Sequence, residues 1–421
     1  FEPDMSAATF LSERVQEAVA GQLEMHWPYK RMQTGRDLRH LPCHDIWQAS
    51  GGVFASPAGW ERPMWFAPGE QETSSVYSYG DQAWWPHAMH ECQAARDAAV
   101  LIDLSPFAKF EVAGADALSG LQHLCSANVD IAPGRCVYTQ LMNHNGGIEA
   151  DGTITRLEED RFVYAGAAPS RRRDLTWIQK QLGNAAVKDV TRDQAVLALM
   201  GPEAGDIWLS AGGDPAALAQ PFASSASYTL AGVDLRAARI SFIGEFGWEL
   251  YLPWNEAPDV ARHLLTAGAQ PMGLQAVDCC RMEKAFRHWG HDIGPDDTPL
   301  EAGLGFSVSW AKAGDFIGRA ALEQQRQNGI TRQLVQFAVD NAHPLLLHDE
   351  PIFCDGQLIG HTTSGARGFR TGLSLCMAYL PVTDGKTPDG DYEISIAGER
   401  FGLQRLDRPP YDPAGTRMRS T

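Results

Sequence analysis

Gly146-Gly147-Ile148-Glu149-Ala150-Asp151 lies between two runs that alternate like strands, residues 137–142 and 152–156. Paired glycines between such runs read as a hairpin, because glycine accepts the positive φ that a tight reversal needs. Upstream, Gly134-Arg135-Cys136-Val137-Tyr138-Thr139 opens the outgoing strand. Asp151 then falls at the start of the return strand, amid small residues. On spacing alone it is either a turn-capping side chain or a ligand for something that docks over the hairpin. The turn is the plainer of the two readings.

Outward from the hairpin, residues 77–320 mix helices and strands. Helical spacing covers 91–100, 116–124, 174–182 and 256–267; strand-like runs cover 109–112, 161–165, 194–200, 233–242 and 248–252. From 331 the pattern changes to strands alone, at 333–339, 351–354, 357–361, 373–380, 392–396 and 399–404. Asp355-Gly356, Asp384-Gly385 and Asp389-Gly390 supply turns, and this regular spacing predicts a small barrel ending near 415. Residues 1–76 read as a lead-in. A helix is expected over 10–23, then an aromatic, Pro-rich stretch from Trp27-Pro28-Tyr29 to Trp65-Phe66. That stretch has little regular structure of its own and needs another surface to cover its aromatics.

The bulk numbers exclude several classes. The 421 residues carry 35 Lys and Arg against 52 Asp and Glu, a net charge of −17, and no basic stripe of the kind a nucleic-acid binder shows. Arg171-Arg172-Arg173 is short and meets Asp174 at once, as a solvated helix start does. No run approaches the roughly 20 apolar residues of a membrane helix, and no secretory signal is visible. A chain beginning at Phe1 rather than Met reads as processed, trimmed or cut from something longer. The eight cysteines form no Cys-x-x-Cys pair and read as free, buried thiols in a reducing compartment, cytoplasmic or the mitochondrial matrix of a eukaryote. No dinucleotide or phosphate loop is encoded; Gly303-Leu304-Gly305 has Val308 where a third glycine belongs. His288 and His291 lack a third partner at a telling distance and read as structural, so no metal site is expected.

Two more constellations remain. In Gly244-Glu245-Phe246-Gly247-Trp248-Glu249, Glu249 alternates with apolar neighbours, so it faces solvent or a cavity. In a cavity it would hold the donor edge of a guanidine-like heterocycle through two parallel hydrogen bonds. Arg281, Glu283 and Glu301 suit an ion-pair network.

Taken in order, Gly134–Tyr138, 146–151, 244–249, Arg281-Met282-Glu283 and Thr363-Ser364-Gly365 resemble the motifs of the aminomethyltransferase (glycine-cleavage T-protein) family over about residues 77–415. Leu104-Ser105-Pro106-Phe107-Ala108-Lys109-Phe110, Phe286-Arg287-His288-Trp289-Gly290-His291-Asp292 and the lead-in's Gly59-Trp60-Glu61-Arg62-Pro63 are most similar to the folate-binding C-terminal half of dimethylglycine and sarcosine dehydrogenases, with the segment that joins it to their flavin half.

The resemblance implies an α+β fold, a three-subdomain cloverleaf around a central folate cavity, with a C-terminal β-barrel. It divides the chain into a joining segment (1–76), a folate-binding domain of two subdomains (77–320) and the barrel (331–415). It implies tetrahydrofolate as cofactor, with FAD only in a partner or a missing N-terminal half. A flavin-dependent oxidoreductase domain or subunit would release carbon from a small methylated amine, and this chain would capture it as 5,10-methylenetetrahydrofolate. Asp151 would be catalytic, facing the reacting nitrogens; Glu249 would hold the pterin edge, and Tyr138, Phe107 and Phe242 would pack on the rings. Three positions depart from the glycine-cleavage pattern: Phe107 for Met, Phe242 for Tyr, and Val277 for an Arg. They argue against a lipoyl-carrier partner. Direct demethylation of an S-methyl or O-methyl donor, and folate binding without turnover, are the alternatives.

Overall fold

The computed structural model describes residues 8–69, 77–341 and 344–420. Two open sheets precede a closed barrel. The first sheet is antiparallel throughout, in the order Cys136–Met142, Ile148–Glu158, Arg161–Gly166, Ala108–Ala113, Ala186–Asp189. The second runs Ser225–Leu230, Val233–Ala238, Gly247–Pro253, Gln194–Met200, Val100–Asp103, Gln270–Pro271. The barrel runs Arg332–Val339, Leu373–Pro381, Gln357–Gly368, Pro351–Cys354, Tyr392–Ile396, Glu399–Leu406, and closes by pairing its last strand with its first. One apolar cluster joins all three units, with Cys136 from the first sheet, Val196 and Tyr251 from the second, and Leu334 and Met377 from the barrel.

Several elements differ from the sequence pattern. The helix expected at 91–100 is Trp85–Asp97, with a proline in its first turn, and Val100–Asp103 is a strand buried along its whole length. A short, wholly apolar run has no period that separates strand from helix. The strand expected to reach Phe242 stops at Ala238, while the return strand of the hairpin starts earlier, at Ile148. Gln357–Gly368 is far longer than expected, with a register shift between Thr362 and Ser364 that lets it bend around the barrel.

The lead-in has more order than its composition suggests. It contains the helices Ala8–Gly21 and His44–Ala49 and a bulged hairpin, Gly52–Ala55 with Arg62–Phe66. Its aromatics do find another surface: Trp47, Trp60 and Phe66 bury against the second sheet, and Trp47 Nε1 donates to Asp103 at 2.8 Å. The Glu91 carboxylate ties the hairpin to the start of helix Leu274–Glu283, accepting from the amides of Phe66 (2.7 Å) and Gly273 (2.8 Å). All eight cysteines are buried free thiols.

The expected network of Arg281, Glu283 and Glu301 is three separate pairings. Arg281 meets Asp278 and Asp292, Glu301 meets Arg332, and Glu283 meets Arg96. Arg96 is buried between Glu245 (2.9 Å) and Glu283 (3.0 Å), with its guanidinium 4.0 Å from the centre of the Tyr411 ring. Replacing it removes the buried charge between two carboxylates that, among the described residues, keep only Arg417 and the Tyr411 hydroxyl at Glu245 and the amides of Arg370 and Thr371 at Glu283, so Arg96→Met is expected to cost about 3–5 kcal/mol, read as a lower midpoint in chemical denaturation.

Candidate functional site

The hairpin of the first sheet delivers Tyr138 and Asp151 to each other. Tyr138 stands opposite Thr153 and Gln140 opposite Asp151, so Tyr138 and Asp151 are diagonal neighbours on one face, within reach of a long side chain. The Tyr138 hydroxyl donates to Asp151 Oδ2 at 2.7 Å. Asp151 is half-buried. Burial lifts its carboxyl to about 6, against the pull of the Tyr138 hydrogen bond. Asp151 is therefore a strand residue whose side chain works on one face of the sheet, and the turn reading fails. The turn lies upstream, where Asn143 Oδ1 accepts from the amides of Asn145 and Gly147. The two glycines have different tasks. Gly146 takes a φ of 81°, whereas Gly147 is needed for close approach, since a Cβ there would stand 1.8 Å from the Pro295 carbonyl oxygen.

Tyr164, which sequence spacing did not single out, fixes the backbone beneath Asp151. Its hydroxyl donates to the Asp151 carbonyl at 2.9 Å. Its side chain occupies the space that a Cβ on Gly152 or Gly166 would need, with a ring carbon 2.5 Å away at Gly152 and the hydroxyl oxygen 2.3 Å away at Gly166. Small residues around Asp151 were the visible signal; the aromatic that requires them was not.

Glu249 lies in the second sheet and is 5% exposed, which settles its facing in favour of the interior. One oxygen accepts from the Tyr251 hydroxyl at 2.8 Å, and among the described residues the other takes no hydrogen bond. Burial raises its carboxyl to about 7, with Tyr251, Arg236 and Lys109 pulling the other way. Tyr251 is two residues on and so on the same face, a signal the period of a strand carried. Lys109 is fully buried, and burial brings its amine down to about 7. It donates to the carbonyls of Ser105 (2.7 Å) and Phe107 (3.0 Å), which fixes the turn bearing Phe107.

Phe107 and Phe242 are partly buried and pack on the apolar cluster shared by all three units. Phe242 sits in the loop after Ala238 and stacks on Phe286, ring centres 6.2 Å apart and 26° from parallel. The five candidate residues thus fall into the pair Tyr138 and Asp151, Glu249 with the added partner Tyr251, and two partly buried aromatics, Phe107 and Phe242. Together they offer a proton acceptor, a buried acceptor for a polar edge, and apolar faces for flat rings.

Residues 43–312 match the family described as the GCVT N-terminal domain, and 332–412 the glycine cleavage T-protein C-terminal barrel domain. The chain is 37% identical over 420 residues to 4-methylaminobutanoate oxidase (formaldehyde-forming) of Paenarthrobacter nicotinovorans and 32% identical over 462 residues to mitochondrial sarcosine dehydrogenase of Homo sapiens. Each comparison covers 97% of this chain and 50% of the relative, so the chain spans about half the length of these relatives. Among solved structures, the glycine cleavage system aminomethyltransferase T of Bartonella henselae superposes with a TM-score of 0.78 at 25% identity, covering 89% of this chain and 98% of that one. No helix of the described residues is long and apolar enough to cross a membrane.

The raised Asp151 carboxyl sets a stability sign. Between about 4, where an unfolded Asp titrates, and about 6, the folded chain holds a proton the unfolded chain has released. Stability is therefore lost as pH rises through that window, and the cost is complete above about 6. Asp151→Asn removes the cost. Its melting temperature is expected to approach the parent's below about pH 4 and to exceed it by about 1–3 °C at pH 8, read by calorimetry. A lower value at pH 8 would make Asp151 a structural anchor.

Proposed function

Since the chain belongs to the glycine cleavage T-protein (aminomethyltransferase) family, we propose that it transfers one-carbon units to tetrahydrofolate, capturing as 5,10-methylenetetrahydrofolate the carbon released by oxidative demethylation of a small methylated amine. The observation that carries this reading is Asp151, a half-buried carboxylate held by Tyr138 with its carboxyl near 6. That value suits a group that takes and returns a proton near neutral pH.

The residues present fit the folate. Glu249 is 5% exposed and its second oxygen takes no hydrogen bond among the described residues, and the 2-amino and N3 edge of a pterin supplies matching donors. Phe107 and Phe242 offer aromatic faces for its rings, and Tyr138 supplies the hydroxyl that holds Asp151. Bound there, tetrahydrofolate supplies two nucleophilic nitrogens. When bound, its two nitrogens would take up the iminium carbon, and the two hydrogens they give up would leave with the departing amine. Asp151 takes the proton from an attacking nitrogen and passes it to the departing amine, its negative charge favouring the cationic carbon while it does so.

In this reading the iminium is made by a flavin-dependent oxidoreductase domain or subunit. Support comes from the relatives named 4-methylaminobutanoate oxidase and sarcosine dehydrogenase, each about twice the length matched here. The relative named as formaldehyde-forming favours a second outcome: carbon that meets no folate leaves as formaldehyde.

Titration calorimetry of the chain with tetrahydrofolate tests the binding step. Glu249→Gln is expected to weaken binding about 10–100-fold, the worth of a charged hydrogen bond. Parent affinity should rise with pH through about 7, as Glu249 ionises. Absence of binding by the parent would end the reading. Asp151→Asn should bind comparably, yet slow the formation of methylenetetrahydrofolate from formaldehyde and tetrahydrofolate by about 100-fold or more. A 5-methyl product, identified by mass, would instead indicate direct methyl transfer.

A further inference from the structure

The lead-in carries a cluster of donors that this reaction does not use. Asp37, His40 and His44 each place one ligand-type atom within 4.8 Å of the other two. His40 Nε2 lies 3.3 Å from Asp37 Oδ1. The His40 and His44 rings are stacked, centres 3.9 Å apart and 3° from parallel. His44 Nδ1 is buried and meets no hydrogen-bond partner among the described residues, an unsatisfied ring nitrogen of a kind that native proteins seldom leave.

The backbone beneath the three side chains is fixed independently of them. Asp37 holds a φ of 60°, and its amide donates to Glu61 Oε1 at 2.9 Å. Arg36 Nε donates to both oxygens of the same Glu61 at 2.9 and 3.1 Å, so its positive charge is matched beside the cluster. His40 bridges to Glu61 through the main chain. His44 opens the helix His44–Ala49 and leans on Phe54, ring centres 4.6 Å apart.

We propose that Asp37, His40 and His44 form a binding site for a divalent late-transition-metal ion of the zinc class, with two imidazoles and one carboxylate as ligands and water completing the shell. Two nitrogens and one oxygen are a donor set that such ions take readily. Ligands about 2.0–2.1 Å from a tetrahedral zinc stand about 3.3 Å from one another, so His40 and Asp37, 3.3 Å apart before the ring turns, lie within reach of one ion. Parallel rings cannot both aim their in-plane lone pairs at one ion, so binding turns one ring out of the stack. His40 is the ring free to turn, its side chain being 46% exposed, while His44 stays against Phe54. The ion then ties the 37–40 loop to the start of the following helix.

The site stands apart from the folate reading and is tested without it. The probes are Zn2+ by titration calorimetry and Co2+ by its visible ligand-field absorption, on the untagged full chain in chelator-free buffer. The expected result is one ion per chain, with the dissociation constant weakened more than about tenfold by His40→Ala and by His44→Ala. His348→Ala, at a separate surface histidine beside His291, should leave it unchanged. His40 is exposed enough for its variant to fold even if His44→Ala does not, and circular dichroism checks both. No binding by the parent, or binding that His40→Ala leaves unchanged, overturns the proposal.

Discussion

The buried carboxylate of Asp292 is the constraint on which the relation between the barrel and the rest of the chain depends. It accepts from Arg281 Nη1 at 2.7 Å, from the hydroxyls of Thr363 and Ser364 at 2.6 Å each, and from the His288 amide at 3.0 Å. Tyr379, also in the barrel, donates to its carbonyl at 3.0 Å. Burial alone would raise its carboxyl, but the Arg281 charge and these donors hold it below the usual range. A charge taken from water costs several kcal/mol unless its partners are in place. Helix Leu274–Glu283, the segment at 288–292 and a barrel strand can therefore satisfy it in only one arrangement. Two residues after Arg281, Glu283 carries the same helix to Arg96 and, through Tyr411, to the C-terminal tail.

The candidate site uses the same physics with fewer donors. Asp292 has four donors to its side chain and stays ionised with ease. Asp151 has one from a side chain, Tyr138, and Glu249 has one, Tyr251. Burial therefore wins at both, and their carboxyls rise to about 6 and about 7. Under-satisfied carboxylates destabilise a fold, and two whose carboxyls burial raises are candidates for a site rather than a scaffold. Tyr164 and Lys109 act one step back, holding the backbone under Asp151 and the turn of Phe107.

Much of this was legible in the sequence because strands expose a period of two and turns expose their glycines. The barrel strands, the hairpin and the order of the five motifs could be read directly. Contacts set by distant chain could not. Nothing local says that Glu91 binds Gly273, that Arg96 rather than Arg281 pairs with Glu283, or that Gly147 is small because Pro295 lies against it. Only the first residue of Val100–Asp103 falls in the expected helix, and burial on both faces leaves the strand no alternation to read. Asp151 was weighed as a turn residue because spacing shows where a carboxylate sits in the chain, not how few donors it meets.

The departures from the family pattern sharpen how the site discriminates. Phe242 brings no hydroxyl and stacks on Phe286, while Val277 is buried and apolar where an arginine would bring charge. Apolar walls retain flat rings by area, with little preference for their orientation about the stacking axis. Orientation would then fall, in the proposed reading, to the two carboxylates, which sit on different sheets that share one apolar cluster. In the proposed reading, Glu249 fixes one end of the folate and Asp151 meets the other, so the span between the sheets measures the ligand. Such a site recognises the carbon acceptor well and the carbon donor hardly at all. Choice among methylated amines would then rest with the chemistry that generates the iminium.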